Sequence, residues 1–270
     1  MGLKIAILVK QVPDHEAVVQ LDNNGGLDIE NRYVCSFFDE IAIEQGIAIK
    51  KIIPDAELMA LSVGGKRAVE ALRRSVAMGI DTVERLGDDA AASADSLFVA
   101  AVLAARLRQL GPDIVLCGKQ AGDDELGAVG PMVAEFLGIP HVSAITSLEI
   151  DLDNRSALMQ RKQEGVNALL CSNLPVLATT EKGLIEPHVP VVTRVMKAMK
   201  AKIPNTPVAE LELAGRSADG RKITADGREI TADGRIRRLD YSYPPVRPEV
   251  EIVDNAEALT SILIERGTLG

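Results

Sequence analysis

The stretch of sequence that decides the fold spans residues 113–140 and reads DIVLCGKQAGDDELGAVGPMVAEFLGIP. An apolar strand over 114–117 leads into an acidic, glycine-dotted loop, and the loop leads into a helix that ends at Gly138 and Pro140. Elements in this order place free backbone N–H groups at a helix N-terminus, where a phosphate can bind. Because Gly-x-Gly-x-x-Gly and the P-loop Lys-Ser/Thr are both missing, the stretch is either another kind of nucleotide loop or an ordinary turn.

Strands and helices alternate through the first half of the chain around this stretch. Apolar segments predict buried strands over 3–9, 58–63, 82–86 and 114–117. Amphipathic or alanine-rich segments predict helices over 37–52, 66–78 and 94–110. This alternation is typical of the α/β class, with an open, mostly parallel sheet and helices on both faces. Ligands bind beyond the carboxyl ends of such strands, so we expect a site at the loops after Val9, Val63 and Cys117.

The second half of the chain has a different pattern. Antiparallel strands are predicted over 142–150 and 157–162, and a further strand over 176–180. A proline-broken loop over 181–194 then leads into a short basic helix, which is predicted to cover 195–202. This half therefore adds antiparallel strands to the predicted α/β sheet.

The C-terminal region contains a short repeat. Three copies of Ala-Asp-Gly-Arg lie within residues 218–235. Asp and Gly both break helices, so we predict a flexible insertion over 215–238 rather than a coiled coil. We divide the chain into an α/β domain of residues 1–204 and a C-terminal extension of residues 205–270.

Composition restricts the classes of protein that this sequence can encode. Hydrophobic residues make up 47% of the chain but aromatic residues only 3%, which predicts an aliphatic core. The formal net charge of -9 argues against a surface for nucleic acid or anionic membranes. The three cysteines are far apart, which argues for a reducing compartment and against a zinc or disulfide framework. No apolar run could span a bilayer or act as a signal peptide, so we expect a cytoplasmic protein without membrane insertion.

Few residues are candidates for catalysis or metal binding. His15, His141 and His188 are isolated and lack ligand spacing. No nucleophile signature is present, so no catalytic residue and no metal ligand is assigned. The run Asp123-Asp124-Glu125 fits a Mg²⁺ site or the start of a helix, and we favour the helix because three adjacent acids cannot converge on one ion.

A basic cluster follows the proline-broken loop. Lys197, Lys200 and Lys202 form either a solvated helix face or a docking surface for an acidic partner protein. Composition alone favours the solvated face, since most charge runs on helices are simply exposed to water.

Three groups of residues resemble those of a known family. They are KIAILVKQVPD at 4–14, Gly118-Lys-Gln-Ala with Asp123 and Val129-Gly-Pro131, and Glu186-Pro187 with Met196-Lys197-Ala198. In this order and spacing they resemble the β subunits of electron-transfer flavoproteins. The likeness runs from the first strand to about Pro207, and it is specific because the groups occur together.

The resemblance implies an adenine-nucleotide α-hydrolase-like fold and a heterodimer with an α subunit that holds most of the FAD. Ordinary members hold AMP in the β subunit, whereas in electron-bifurcating members a second FAD takes that place and NADH binds nearby. Such proteins shuttle electrons between an acyl-CoA or other flavin dehydrogenase and an acceptor. The β subunit is thus an electron-carrier subunit rather than an enzyme, and its C-terminal extension is expected to pack on the partner subunit.

Carried over by position, the resemblance implies a nucleotide pocket and a docking loop. The pocket residues are Leu8, Ser36, Val63, Cys117, Gly118, Gln120, Asp123, Asp124, Gly127, Ala128 and Val129. The phosphates would bind the backbone N–H groups of Gly127–Val129, in agreement with the interpretation of the loop given above. The docking loop covers residues 186–200, and its contact residues are Glu186, Pro187, Val192, Met196 and Lys197. Val192 stands where the family usually has an anchoring leucine.

The chain departs from the family pattern at the phosphate-binding turn. Many members carry a hydroxyl or Asn and then a Gln before the Val/Thr-Gly pair, whereas this chain has Leu126, Gly127 and Ala128. Each lost side-chain hydrogen bond costs about 0.5–1.5 kcal/mol, while the backbone donors remain. The smaller side chains fit a weaker AMP site, a longer ligand such as FAD, or a pocket partly out of use.

Two other classes of protein compete with this interpretation. A universal-stress-type nucleotide-binding module would use the same fold and self-associate with ATP, but it would carry a glycine-rich phosphate signature that is missing here. An α/β hydrolase or ligase would need a placed nucleophile or base, and the sequence offers neither.

Overall fold

The computed structural model describes residues 2–23, 26–87, 94–211, 213, 241–246, 250 and 252–268. The strands are β1 (Lys4–Leu8), β2 (Gln11–Pro13), β3 (Val19–Leu21), β4 (Leu27–Ile29), β5 (Tyr33–Cys35), β6 (Glu57–Val63), β7 (Thr82–Leu86), β8 (Ile114–Gly118), β9 (His141–Asp151), β10 (Ser156–Gln163), β11 (Val166–Asn173), β12 (Val176–Thr180) and β13 (Asn205–Thr206). The helices are α1 (Phe37–Ile52), α2 (Val69–Met78), α3 (Ser96–Leu110), α4 (Val129–Leu137), α5 (Val192–Met199) and α6 (Ala256–Glu265).

The main sheet of the described residues has nine strands, in the order β11-β10-β9-β12-β8-β1-β6-β7-β13. From β9 to β13 all neighbours are parallel, whereas β9, β10 and β11 pair antiparallel at one side. The predicted fold class, an open, mostly parallel α/β sheet with antiparallel additions, is therefore confirmed. The sheet continues just beyond residue 204, because β13 pairs with β7.

Alternating side chains of β1 feed two separate cores. Ile5 and Ile7 pack on the α1 and α2 side of the sheet, whereas Ala6 and Leu8 pack on the α3 and α4 side. Strands buried on both faces read as continuous apolar segments, which is why the sequence identified them. Fully burying one such Ile or Leu side chain contributes about 1.5–3 kcal/mol, so an aliphatic core suffices without tryptophan.

Local signals set the ends of the long helices. Asp95 caps α3 by accepting a hydrogen bond from the N–H of Phe98 at 2.9 Å. Gly138 ends α4 in the left-handed conformation at φ +67°, as its position in the sequence predicts. Ser36 directly precedes α1, but its side chain makes no capping hydrogen bond.

The structure differs from the predictions most clearly at three places. The basic helix begins at Val192 rather than 195, because no Pro or Gly interrupts the chain after Pro190. It ends at Met199 rather than 202. Residues 66–68 form a 3-10 turn before α2. Strand β11 escaped prediction because most of its side chains are exposed on both faces, and it follows a tight turn with positive φ at Glu164 and Gly165.

The described chain divides into two compact units. One comprises residues 1–19 and 29–238, and the other comprises residues 20–28 and 239–270. The second unit contains α6, where Asn255 accepts a hydrogen bond from the N–H of Ala258 at 2.8 Å. The predicted insertion over 215–238 lies outside the described residues. None of the helices in the described parts is both long and apolar enough to cross a membrane.

Candidate functional site

The candidate site lies where the direction of the chain across the sheet reverses. From β1 the chain proceeds to β6 and β7 on one side, and it then returns to β8 on the other side of β1. In open α/β sheets the crevice beyond the carboxyl ends of two such strands binds ligands. Leu8, at the end of β1, pairs with Cys117 near the end of β8 and with Leu61 in β6, so three of the predicted pocket segments meet at this edge.

Helix α4 begins at this edge with accessible backbone donors. Gly127 has a φ of +59°, and a Cβ added there would lie 3.0 Å from the carbonyl oxygen of Lys119. Ala128 provides no side-chain cap for α4, and the first N–H groups of any helix lack intrahelical partners. Gly127, Ala128 and Val129 are partly exposed. An anion placed here can accept hydrogen bonds from the backbone and interact with the positive end of the helix dipole.

Two glycines allow the helices to approach the strand ends closely. A Cβ on Gly118 would lie 2.6 Å from Asp39 Oδ1 and 2.7 Å from Phe38 Cβ, at the start of α1. A Cβ on Gly130, in the first turn of α4, would lie 2.9 Å from Cys117 Sγ. The starts of α1 and α4 therefore lie very close to the end of β8, and there is no space for larger residues at these two positions.

Asp39 joins the strand ends and is the functional residue that the sequence interpretation missed. Its Oδ2 accepts a hydrogen bond from the backbone N–H of Lys10 at 2.8 Å, and its Oδ1 accepts one from the N–H of Gly118 at 2.7 Å. Asp39 is only 6% exposed. Burial raises the pKa of its carboxyl to about 7, although the two backbone bonds act in the opposite direction. The sequence showed an acid in the first turn of α1, but not the strand ends that it holds.

Lys10 carries a positive charge into the acidic loop. Its Nζ lies 2.7 Å from Asp123 Oδ1 and 2.9 Å from Asp124 Oδ2. The two acids thus converge on an ammonium group, and within the described parts of the chain no His, Cys, Asp and Glu group has a metal-binding arrangement. This ion pair ties the segment after β1 to the loop that precedes α4.

A second lysine is already engaged at the end of β8. Lys119 Nζ lies 2.6 Å from Glu181 Oε2 and 4.9 Å from the ring centre of Phe38. Thr180, at the end of β12, donates from its hydroxyl to the carbonyl oxygen of Phe38 at 2.7 Å. These contacts connect β8, β12 and the start of α1 on the same edge.

The predicted pocket residues divide into two kinds. The side chains of Leu8 and Cys117 are buried in the core, so at most their backbone faces a ligand. Burial raises the pKa of the Cys117 thiol, which excludes a thiolate nucleophile at neutral pH. The hydroxyl of Ser36 is fully buried without a hydrogen-bond partner. Val63, Gln120 and Asp124 remain partly exposed and Asp123 is exposed, so they can face solvent or a ligand.

The predicted docking residues lie together on another part of the surface, which we call the docking segment (residues 186–200). Val192 is 74% exposed at the start of α5, and Met196 and Lys197 are exposed one turn later. Glu186 is exposed and Pro187 is partly exposed. Met196 and Lys197 lie on a helix, as the range 195–202 predicted, and Val192, which was predicted to lie in the preceding loop, is the first residue of the same helix. The helix fixes the relative positions of these three residues.

Comparison with known proteins identifies the family. A family model described as "Electron transfer flavoprotein domain" matches residues 28–211. The chain belongs to the electron transfer flavoprotein family. The match contains α1, the acidic loop, α4 and the docking segment, and so it includes most of the candidate site.

Curated relatives place the chain with the β subunits of this family. It is 34% identical over 230 residues to "Electron transfer flavoprotein subunit beta" of Megasphaera elsdenii, which covers 82% of each chain. It is 29% identical over 266 residues to the subunit of the same name from Syntrophomonas wolfei, which covers 98% of this chain and 96% of the relative. It is 31% identical over 204 residues to "Caffeyl-CoA reductase-Etf complex subunit CarD" of Acetobacterium woodii, which covers 74% of this chain and 77% of the relative. These matches select an electron-transfer role over the stress-module and hydrolase hypotheses.

Proposed function

We propose that this chain is the β subunit of a heterodimeric electron carrier and holds an adenine nucleotide at the N-terminus of α4. The observation that carries this proposal is the uncapped first turn of α4 at the reversal point of the sheet, with Gly127 in the left-handed conformation. In this position the N–H groups of Gly127, Ala128 and Val129 would bind the phosphate. An α subunit would enclose FAD together with this chain.

Charge at the edge affects how tightly a phosphate binds. Asp123, Asp124 and Glu125 repel an anion, and Lys10 offsets part of that repulsion because its Nζ lies between the first two acids. Lys119 is likewise paired with an acid, Glu181. The backbone donors therefore provide most of the attraction, since Leu126, Gly127 and Ala128 have no side-chain hydrogen-bonding groups.

FAD supplies the redox chemistry when it is bound, and the residues of this chain supply binding and position. Asp39 and Gly118 fix the ends of β1 and β8 relative to α1, so the wall of the pocket is formed before a nucleotide enters. A preformed pocket reduces the entropy lost on binding.

The docking segment would present this carrier to an acyl-CoA or other flavin dehydrogenase. Val189, Val191, Val192, Met196 and Met199 are exposed apolar side chains within eleven consecutive residues. Apolar side chains of this kind become binding hot spots when a partner pocket excludes water from them. Lys197 and Lys200 flank them and would contact acidic groups around that pocket.

Co-expression of this chain with an α subunit of the family tests the proposal. We expect a heterodimer that contains FAD and one equivalent of an adenine nucleotide, and that accepts electrons from a flavin dehydrogenase. A stable monomer that transfers electrons without flavin would contradict it.

A second candidate function is electron bifurcation, with a second FAD in place of AMP and NADH as a substrate. Two observations favour it: Gly127 and Ala128 offer no side chain that would block a longer ligand, and the CarD relative is named as part of a caffeyl-CoA reductase complex. The visible spectrum distinguishes the two, because bifurcation requires about two flavins per heterodimer and simple transfer about one.

A further inference from the structure

A buried acid in the middle of α1 contacts the docking segment. Glu44 is only 5% exposed, and burying a carboxylate is unfavourable unless it is paired or hydrogen-bonded. Its Oε2 contacts Nδ1 of His188 and accepts a hydrogen bond from the backbone N–H of His188 at 3.3 Å. Lys51 Nζ lies 3.9 Å from the other oxygen. His188 therefore satisfies Glu44 through both its side chain and its backbone.

The chain around His188 contacts the body of the protein at few positions. Val189 is 82% exposed and Val191 is exposed as well, so neither side chain packs inward. Pro190 between them is buried, and together with Pro187 it restricts the backbone φ angles. Residues 187–191 therefore form a short, stiff arm that is held at His188 and Pro190 and carries the two valines outward.

The other end of the docking segment is attached independently. Helix α5 packs on α2, with Ala198 only 2% exposed. Arg194 Nη1 donates to the carbonyl oxygen of Met78, the last residue of α2, at 3.4 Å. Val192 lies between this attachment and His188, so its position depends on both.

We propose that Glu44 and His188 are positioning residues for the docking segment. The pair holds the arm on α1, so that the exposed valines are already ordered when a partner arrives. This inference rests on the proposed docking function, and it adds that binding of the dehydrogenase depends on a buried pair that does not touch it. Without the pair, a partner would have to order the arm on binding, which lowers affinity.

Hydrogen–deuterium exchange on the full-length chain tests this inference, with Glu44→Leu, His188→Gln and the double variant. The leucine fills the buried position without a charge, so α1 stays packed while the arm is released. We expect each single variant to raise amide exchange in residues 188–195 by about tenfold or more, because this range includes the His188 N–H that is bonded to Glu44 and the two N–H groups that are bonded to the carbonyl oxygen of Val191. The double variant should exchange no faster than the faster single variant, because both remove the same interaction. His141→Gln, a partly exposed histidine in β9, is the matched control and should leave this segment unchanged.

Two outcomes would overturn the inference. One is unchanged exchange over 188–195 in His188→Gln, the variant least able to disturb folding. The other is faster exchange that spreads equally to residues 114–137, which would show loss of global stability rather than release of the arm. Measuring electron transfer from an acyl-CoA dehydrogenase distinguishes failure of the positioning inference from failure of the proposed docking function. Val192→Ser should weaken electron transfer without altering amide exchange. If Val192→Ser has no effect on transfer, the docking proposal fails and the exchange data still decide the positioning.

Discussion

The candidate site at the strand ends and the docking segment are built in opposite ways. At the candidate site, Phe38 and Asp39 lie so close that Gly118 cannot carry a Cβ without a shift, and a buried carboxylate holds two strand ends. The docking segment instead exposes its apolar side chains and attaches to the body at His188 and through α5. In the proposed function, holding a cofactor, which needs a rigid preformed wall, is separated from meeting a partner, which needs an accessible apolar surface. Substitutions in one region should therefore leave the function of the other intact.

The largest effect is expected from the titration of Asp39. Its pKa rises from about 4 in the unfolded chain to about 7 in the folded one, so the folded state binds more protons between these values. Stability from this group is therefore present at low pH and falls as pH rises from about 4 to about 7, by about 4 kcal/mol in total. Urea unfolding of wild type and Asp39→Asn across this pH range gives the difference in their free energies of unfolding, and this difference should change by the same amount.

Because Asn does not titrate, the difference isolates Asp39 from all other groups. A difference that stays constant from pH 4 to 8 would mean that Asp39 keeps its ordinary pKa. Asn also presents one acceptor oxygen to two N–H donors, so one strand end loses its bond and nucleotide content should fall at every pH.

Gly118→Ala should have the next largest effect. The added methyl group meets Phe38 Cβ and the backbone N of Asp39, so α1 must shift, at a cost of about 3 kcal/mol in the free energy of unfolding. We also expect loss of bound nucleotide but unchanged exchange in the docking segment. Gly122→Ala is the control, because a Cβ there meets only His15 at 3.4 Å, an ordinary contact. Equal stability of the two variants would show that the close approach at Gly118 is not required.

Val192→Ser tests the docking side of the comparison. Removing this proposed hot spot should weaken the complex with a flavin dehydrogenase by about 2 kcal/mol, seen as a higher KM for the carrier in dehydrogenase turnover. Flavin content and unfolding should match wild type. Val166→Ser, at a similarly exposed valine on β11, should leave KM unchanged. A fall in nucleotide content with Val192→Ser would show that the two regions do not function independently.

Lys10→Met should have the smallest effect. Lys10 and its acidic partners are partly exposed, so water screens the ion pairs and their loss costs at most about 1 kcal/mol of stability. Nucleotide binding should weaken several-fold, because the acids then repel the phosphate without a counter-charge. Isothermal titration with AMP at low and moderate salt measures this, and Lys162→Met on β10 serves as the control. AMP binding that is unchanged at low salt would show that Lys10 does not contribute to the nucleotide site.

The sequence predicted the parts of the fold that depend on local pattern. Strands such as β1 and β8 are almost continuous apolar segments, and α4 ends at a glycine, so these elements could be located. Strand β11 could not, because its exposed side chains show no alternation of apolar and polar residues. The start of α5 was placed three residues late, since Val192 to Arg194 carry no helix signal of their own.

The candidate site divides in the same way. The turn that we propose to bind phosphate could be singled out because glycines and a helix start are local features. Asp39 was overlooked as a site residue because its partners, Lys10 and Gly118, are 29 and 79 residues away in the sequence. The contact of Glu44 with His188, 144 residues apart, was equally invisible. Contacts between distant segments depend on the topology of the sheet, which a single sequence does not specify residue by residue.

A crystal structure of the heterodimer with its native nucleotide would show whether the N-terminus of α4 binds the phosphate. We predict a phosphate group within hydrogen-bonding distance of the backbone N–H groups of Gly127, Ala128 or Val129, with the docking segment free of nucleotide contacts. A phosphate bound elsewhere on the chain, or a heterodimer without a nucleotide at the start of α4, would contradict the proposed function.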